Sequence, residues 1–502
     1  MVRKGSITVF TALILSLVVS LLCSGIESVR MAAARTQILN GLDIGLYSLF
    51  GQYDKSLLKD YDLFAVDASG SGEELDLAGI YDNLESYMKP ILAQNSQKLS
   101  IENGGIAGYR LLTDEEGEVF YQQIVRYMKE TLGSRGVQLL LQKMRQRQKK
   151  TEEAEKAGSE AENGNALAVY DSEMSEAAEK SQAALEEKRA QEQQSQSEEF
   201  TDGGSSEEAG FGGTELVPVT VQNPIPVIQR IRWMSLLDLV LPPDRSRSDK
   251  KIQKNELVSG RELEQGLPMS DEVKRDSSLI SQVLYQQYLM DKLGNYRSPG
   301  KGGLEYQIEY ILGGYGSDEE NLKSIARKLL LVREGVNAVC LAADSVRRAQ
   351  AEALAIAIAS GFLIPPAAGI IEGALILCWA FGESILDVRT LFAGGKVPLV
   401  KDSSQWQLSL ENLPALLEIA DGTGANEEEG LEYEDYLQVF LLAAKKDRKV
   451  WRGMDMLELS MRSADGWEGF RLDTCLTALE ASVDVRANKR KSFTVTRQYC
   501  YT

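Results

Sequence analysis

The chain has 502 residues, 43% of them hydrophobic, with a formal charge of −19 and no histidine. It is long enough to bury one or two large cores, and its acidity argues against nucleic acid or an anionic membrane surface as the principal partner, since both are bound by basic patches. Without histidine the commonest general base, the commonest neutral metal ligand and every Ser-His or Cys-His nucleophile pair are gone, so a non-enzymatic protein with no cofactor and no metal is expected.

The first element in chain order is apolar. Arg3, Lys4 and Gly5 lead into an uncharged stretch over residues 6–26, which at 1.5 Å per residue covers the roughly 30 Å hydrocarbon core of a bilayer. The run is longer than the apolar part of a secretory signal, and the small-residue site Ala32-Ala33-Ala34 follows the charged Glu27 and Arg30. An uncleaved membrane span is therefore expected, with Cys23 as apolar filler. Arg30 and Arg35 beyond the span balance Arg3 and Lys4, so charge alone does not orient it.

Beyond the span, Val29, Ala32, Leu39, Leu42, Leu46, Leu49, Phe50, Tyr53 and Leu57 recur at helical steps. This predicts one rod from residue 6 to about 59, weakened or bent at Gly41, Gly45 and Gly51. A short strand is expected over 61–66, a helix over 77–88 closed by Pro90, a strand or two over 98–112 broken at Gly104-Gly105, and a helix over 118–129. Residues 151–200 then carry 14 acidic against four basic groups. Such a composition cannot bury enough apolar surface to offset its ordering entropy, so 141–215 reads as an acidic linker. It separates a helix-led α+β region, 27–140, from a mostly helical region, 216–502.

That second region opens with an extended, proline-marked stretch over 216–227 and a turn at Pro242-Pro243. Ser317 and Glu320 have capping-box spacing, and Leu322, Ile325, Leu329, Val332, Val336, Val339 and Ala343 continue one helical face. The most apolar stretch outside the N-terminus, 353–381, is split by Pro365-Pro366 and interrupted by Glu372, which favours a buried helical hairpin over a re-entrant membrane hairpin. Strand alternation over 492–501 pairs with 474–486 in a hairpin centred near Asn488, which would bring Cys475 opposite Cys500 for a disulfide. The five cysteines, at 23, 340, 378, 475 and 500, show no C-x-x-C spacing.

Two further patterns touch on chemistry. Glu305 and Glu309 lie one helical turn apart, as an acid/base pair would, but Tyr306 and Tyr310 beside them read as an ordinary amphipathic face. Asp421, Asn426 and Glu427 to Glu429 match a calcium loop only loosely and read as a surface loop.

The opening GSITVF (5–10) and KDYDLFAVD (59–67), with YQIEYIL (306–312), AFGESILDVR (380–389), GGKVPLVK (394–401) and YEDYL (433–437), resemble an uncharacterised family of Gram-positive bacteria. That family is associated with Tad (Flp-type) pilus loci and related to TadE/TadG-like pseudopilins. The resemblance implies a single-pass cell-membrane protein with its large part outside the cytoplasm, acting as an accessory or minor-pilin-like component. Its partners would be the membrane and proteins of a pilus or secretion apparatus.

The resemblance also implies a prepilin-peptidase cut between Gly5 and Ser6. Pilins usually carry a glutamate at mature position five, where this chain has Phe10. Either the head stays uncut, or the subunit sits where the terminal amine needs no such partner, as at a filament tip. The expected fold is α+β: a transmembrane helix continuing into a pilin-like long helix, then a mainly helical body with a small antiparallel sheet. The alternatives are a membrane-tethered envelope hydrolase working through carboxylates and a polytopic assembly platform.

Overall fold

The structure is a computed structural model that describes residues 5–70, 74–94, 99–162, 223–243, 247–362, 365–402, 404–418, 430–464, 467–488 and 491–501. Helix α1 (Gly5–Phe50) is unbroken over 46 residues, roughly 70 Å. Gly41 and Gly45 do not bend it. They sit where helix α3 (Leu77–Ala93) crosses closely, so the missing side chains serve packing. The rod ends at Phe50 rather than near 59. Gly51 and Gln52 turn, and Asp54 then caps the short helix α2 (Lys55–Tyr61) by accepting from Ser56 N–H at 2.8 Å and Leu57 N–H at 2.9 Å.

The strand expected over 61–66 is displaced. Asp62 takes the left-handed conformation (φ 55°) that ends α2, and only Val66–Asp67 pair, as β1. Helix α3 runs through Pro90 to Ala93. Strand β2 (Ser100–Leu111) is continuous: Gly104 and Gly105 stay in register opposite Val483 and Ser482, and three bulges elsewhere along it take up the irregularity.

Helix α4 (Asp114–Glu162) is interrupted by three left-handed residues, Glu115, Glu116 and Gly117, and again at Gly133. Its last part takes in 141–162, so the stretch read as linker begins as helix. Residues 163–222, which take in the rest of that stretch and the start of the extended run expected over 216–227, lie outside the described residues. Helix α5 (Ile225–Arg232) replaces the last part of the extended run expected over 216–227.

The body continues through α6 (Leu236–Val240), α7 (Leu279–Lys292), α8 (Gln307–Gly313), α9 (Asp318–Ala343), α10 (Ser345–Gly361), α11 (Ala368–Ala393), α12 (Tyr433–Ala443) and α13 (Lys446–Arg462). Ser317 caps α9, its hydroxyl accepting from Glu320 N–H at 3.3 Å. Of the expected α9 face, Leu322, Ile325, Leu329, Val332 and Val336 are buried, while Val339 turns to solvent and Leu341 is buried beyond it. Helices α10 and α11 form the expected hairpin, and α11 packs on α9 and is buried almost throughout from Cys378 to Phe392.

The chain ends in β3 (Cys475–Asn488) and β4 (Lys491–Cys500). Strand β3 is central and every pairing is antiparallel, with β2 on one edge and β4 and β1 on the other. The hairpin forms, but its register sets Ala478 opposite Cys500 and Asp67 opposite Cys475. The two cysteines are thus three residues apart along the ladder, about 10 Å, beyond the reach of a disulfide. Both thiols are free, so the expected Cys475–Cys500 bridge is not formed.

Two cores result. The smaller joins α1 and α3 to the sheet through Leu42, Leu46, Leu84, Met88, Leu479 and Val483. The larger fills the helical body. Everything between β2 and β3, residues 112–474, is inserted between neighbouring strands of the small unit, which the last strands of the chain complete.

Candidate functional site

Helix α1 has two halves with different surroundings. From Thr8 to Arg30 every residue is exposed, with Phe10, Leu17 and Val29 at 63%, 68% and 70%. From Ala34 onward one stripe, Ala34, Ile38, Leu42, Leu46, Leu49 and Phe50, is sealed against α3 and the sheet. Val29 and Ala32 of the predicted stripe therefore belong to the bare half. The seal is secured by Gln37, which donates to Ile91 O at 3.0 Å, by an Arg497–Asp43 ion pair at 3.2 Å, and by the rings of Phe50, Tyr499 and Tyr501, 4.8–6.4 Å apart. The bare half is long and apolar enough to cross a bilayer. Gly5 and Ser6 lie in its first turn.

Helix α11 passes the same test of length and composition, yet two thirds of its apolar window is buried in the body. Its charges explain what it does there. Glu383 and Asp387, one turn apart, are fully buried together with Arg333 of α9 and Lys401. Arg333 binds Asp387 Oδ2 through Nε at 2.9 Å and Nη2 at 2.8 Å, and gives Nη1 to the carbonyls of Pro398 and Leu399. Asn337 donates to the same Oδ2 at 2.9 Å. Lys401 Nζ lies 2.5 Å from Asp387 Oδ1 and contacts Glu383 Oε1. Glu383 also accepts from the N–H groups of Gln407 and Leu408 at 3.1 and 2.9 Å.

Two acids and two bases thus balance inside the core. Burial pushes the Glu383 carboxyl up, whereas Arg333 and Lys401 outweigh burial and hold Asp387 down.

Glu305 and Glu309 are not an acid/base pair. Glu305 precedes α8 and pairs with Lys250 at 3.2 Å, partly exposed. Glu309 is fully buried, accepting from Tyr433 OH at 2.6 Å and Tyr296 N–H at 2.8 Å, and burial raises its pKa to about 7. It is a core carboxyl closed off from solvent. The loop with Asp421 and Asn426 lies outside the described residues.

The cleft of about 780 Å³ at the seam between β2–α4 and the helical body is lined by Asp114, Glu115, Glu116, Glu264, Asp271 and Glu272 around Arg110 and Trp451. Asp114 is already taken up by the N–H groups of Leu111 and Gly266, and Asp271 by Arg110. Among the described residues no three acidic or cysteine side chains gather as a metal site.

The sequence reading missed Arg333, Asn337, Asp387 and Lys401 as a group. The available signal was the pair Glu383 and Asp387 at helical spacing inside an apolar run. The segments 380–389, 394–401 and 433–437 supply Asp387, Lys401 and Tyr436 to this cluster, while 306–312 supplies Glu309 to its Tyr433 contact.

Fold and site together define an α+β protein with a bare apolar N-terminal helix and an inserted, mostly helical body. The chain belongs to a family of unknown function (DUF5702), whose profile matches residues 216–487, more than half of the 502. No curated protein and no solved structure matches it.

Proposed function

We infer that the protein is a membrane-anchored, non-enzymatic surface protein, built as an accessory or minor-pilin-like component of a Tad-type apparatus. The observation that carries this reading is the divided α1: apolar and bare up to Arg30, sealed onto an antiparallel sheet from Ala34. A helix of this kind anchors its own domain whether its bare half lies in lipid or among the helices of neighbouring subunits. The inserted body is then the part displayed outside the cytoplasm. Gly5 precedes the proposed cut, and Phe10 suits a subunit with no amine to neutralise.

Mass spectrometry of the mature N-terminus tests the reading. A chain beginning at Ser6 supports pilin-type processing, and one beginning at Met1 leaves the anchor but removes the pilin-type maturation. A chain beginning near Arg35 would have lost the bare half, and the anchored reading would fail.

A further inference from the structure

The buried cluster of α9 and α11 brings an amine against a carboxylate where water is excluded. Lys401 and Asp387 are 1% and 0% exposed at the side chain, with Nζ 2.5 Å from Oδ1. Trp406, its ring centre 5.8 Å from Nζ, and the buried Trp379 wall the site. We propose that Lys401 and Asp387 condense into an intramolecular amide that staples the segment after α11 back onto that helix.

The neighbours are placed for each step. Three N–H donors, Arg333 Nε, Arg333 Nη2 and Asn337 Nδ2, converge on Oδ2 at 2.8–2.9 Å, so this oxygen is the one prepared to carry the charge of a tetrahedral intermediate. Oδ1, on the lysine side, is the oxygen that leaves. Glu383 touches Nζ and serves as the proton carrier. It takes a proton from the Lys401 ammonium, the freed amine attacks Asp387 Cγ, and Glu383 returns the proton to Oδ1. A second proton follows the same route from nitrogen to Oδ1.

One C–N bond forms, one C–O bond breaks, and a single water leaves. The ammonium supplies both protons, Glu383 ends as it began, and nothing is oxidised or reduced.

Condensation that is unfavourable between free molecules in water gains here from fixed proximity, worth effective molarities on the order of 10⁵–10⁸ M in well-oriented pairs. It also removes two buried charges. Arg333 keeps the carbonyls of Pro398 and Leu399 and its two bonds to Oδ2, which becomes the amide oxygen.

The test is peptide mass spectrometry of the denatured, purified full chain. The expected result is a branched peptide joining the Asp387 and Lys401 segments and lighter by one water than the two linear peptides combined. Recovery of both segments only as separate linear peptides at full mass would overturn the proposal, leaving an ion cluster alone. Glu383→Gln should keep the two segments linear while circular dichroism still reports the parent's helix content. A fully crosslinked Glu383→Gln protein would overturn the assignment of Glu383 as the carrier. Because the readout is confined to residues 387 and 401, it is independent of N-terminal processing.

Discussion

Gly45 of α1 lies directly beneath Met88 of α3: a Cβ added to the glycine would stand 2.9 Å from Met88 Cγ and 3.0 Å from Leu84 Cδ1. One turn earlier, a Cβ on Gly41 would meet Leu92 Cδ2 at an ordinary 3.4 Å. The two glycines therefore respond oppositely to substitution. Gly41→Ala should stabilise the full chain by about 0.5–1 kcal/mol, the helix-propensity difference. Gly45→Val should destabilise it by about 1–3 kcal/mol through overpacking. Denaturant unfolding in detergent measures both, and equal effects at the two sites would show that α3 does not bear on α1 at Gly45.

Glu309 makes stability fall with pH. Its carboxyl titrates near 4.5 when unfolded and near 7 when folded. Between those values the folded state keeps a proton that the unfolded state has released. Stability is highest below that window, declines by about 3 kcal/mol across it and is level above. Glu309→Gln keeps an acceptor for Tyr433 and Tyr296 and never ionises. The difference in unfolding free energy between variant and parent should therefore grow in the variant's favour from pH ~4.5 to ~7. A difference independent of pH would mean that Glu309 is solvated in the folded protein.

Lys449 acts in the opposite window. It is 1% exposed, its ammonium donates to Leu441 O at 2.8 Å, and burial lowers its pKa from 10.5 to about 8. Its penalty is full below pH ~8 and disappears as pH rises to ~10.5, where the folded state has shed a proton that the unfolded state still holds. Lys449→Met keeps the stem packed and removes the charge, so at neutral pH it should raise stability by about 2–3 kcal/mol. A loss of stability on this substitution would show that the ammonium contributes more through Leu441 than burial costs it.

Much of the fold was legible because its signals are local. The apolar run of α1, the Ser317 cap and the alternation ending at Cys500 each act within a few residues, and the structure keeps all three elements. What was not legible depends on distant partners. The function of Gly41 and Gly45 appears only when α3 crosses them, and the hairpin register is set by β1 and β2 as well as by its own turn. That is why Cys475 faces Asp67. The buried cluster draws Arg333, Asp387 and Lys401 from separate segments, and periodicity marks each of them only as an odd charge.

The bare half of α1 gives the sharpest test of anchoring. Leu17 sits near the middle of the uncharged run and is 68% exposed, whereas Ile44, 49% exposed on the same helix, lies beyond the sealed boundary at Ala34. An arginine at the centre of a span costs about 2.5–3.5 kcal/mol of insertion free energy, while on a water-facing helix surface it costs little. Leu17→Arg should therefore shift the protein out of the alkali-resistant membrane fraction, and Ile44→Arg should leave it there. Both variants should keep the parent's unfolding midpoint, since neither side chain belongs to a core. If Leu17→Arg fractionates with the membrane as the parent does, the bare half of α1 is not held in lipid, and a covering by other helices becomes the reading to pursue.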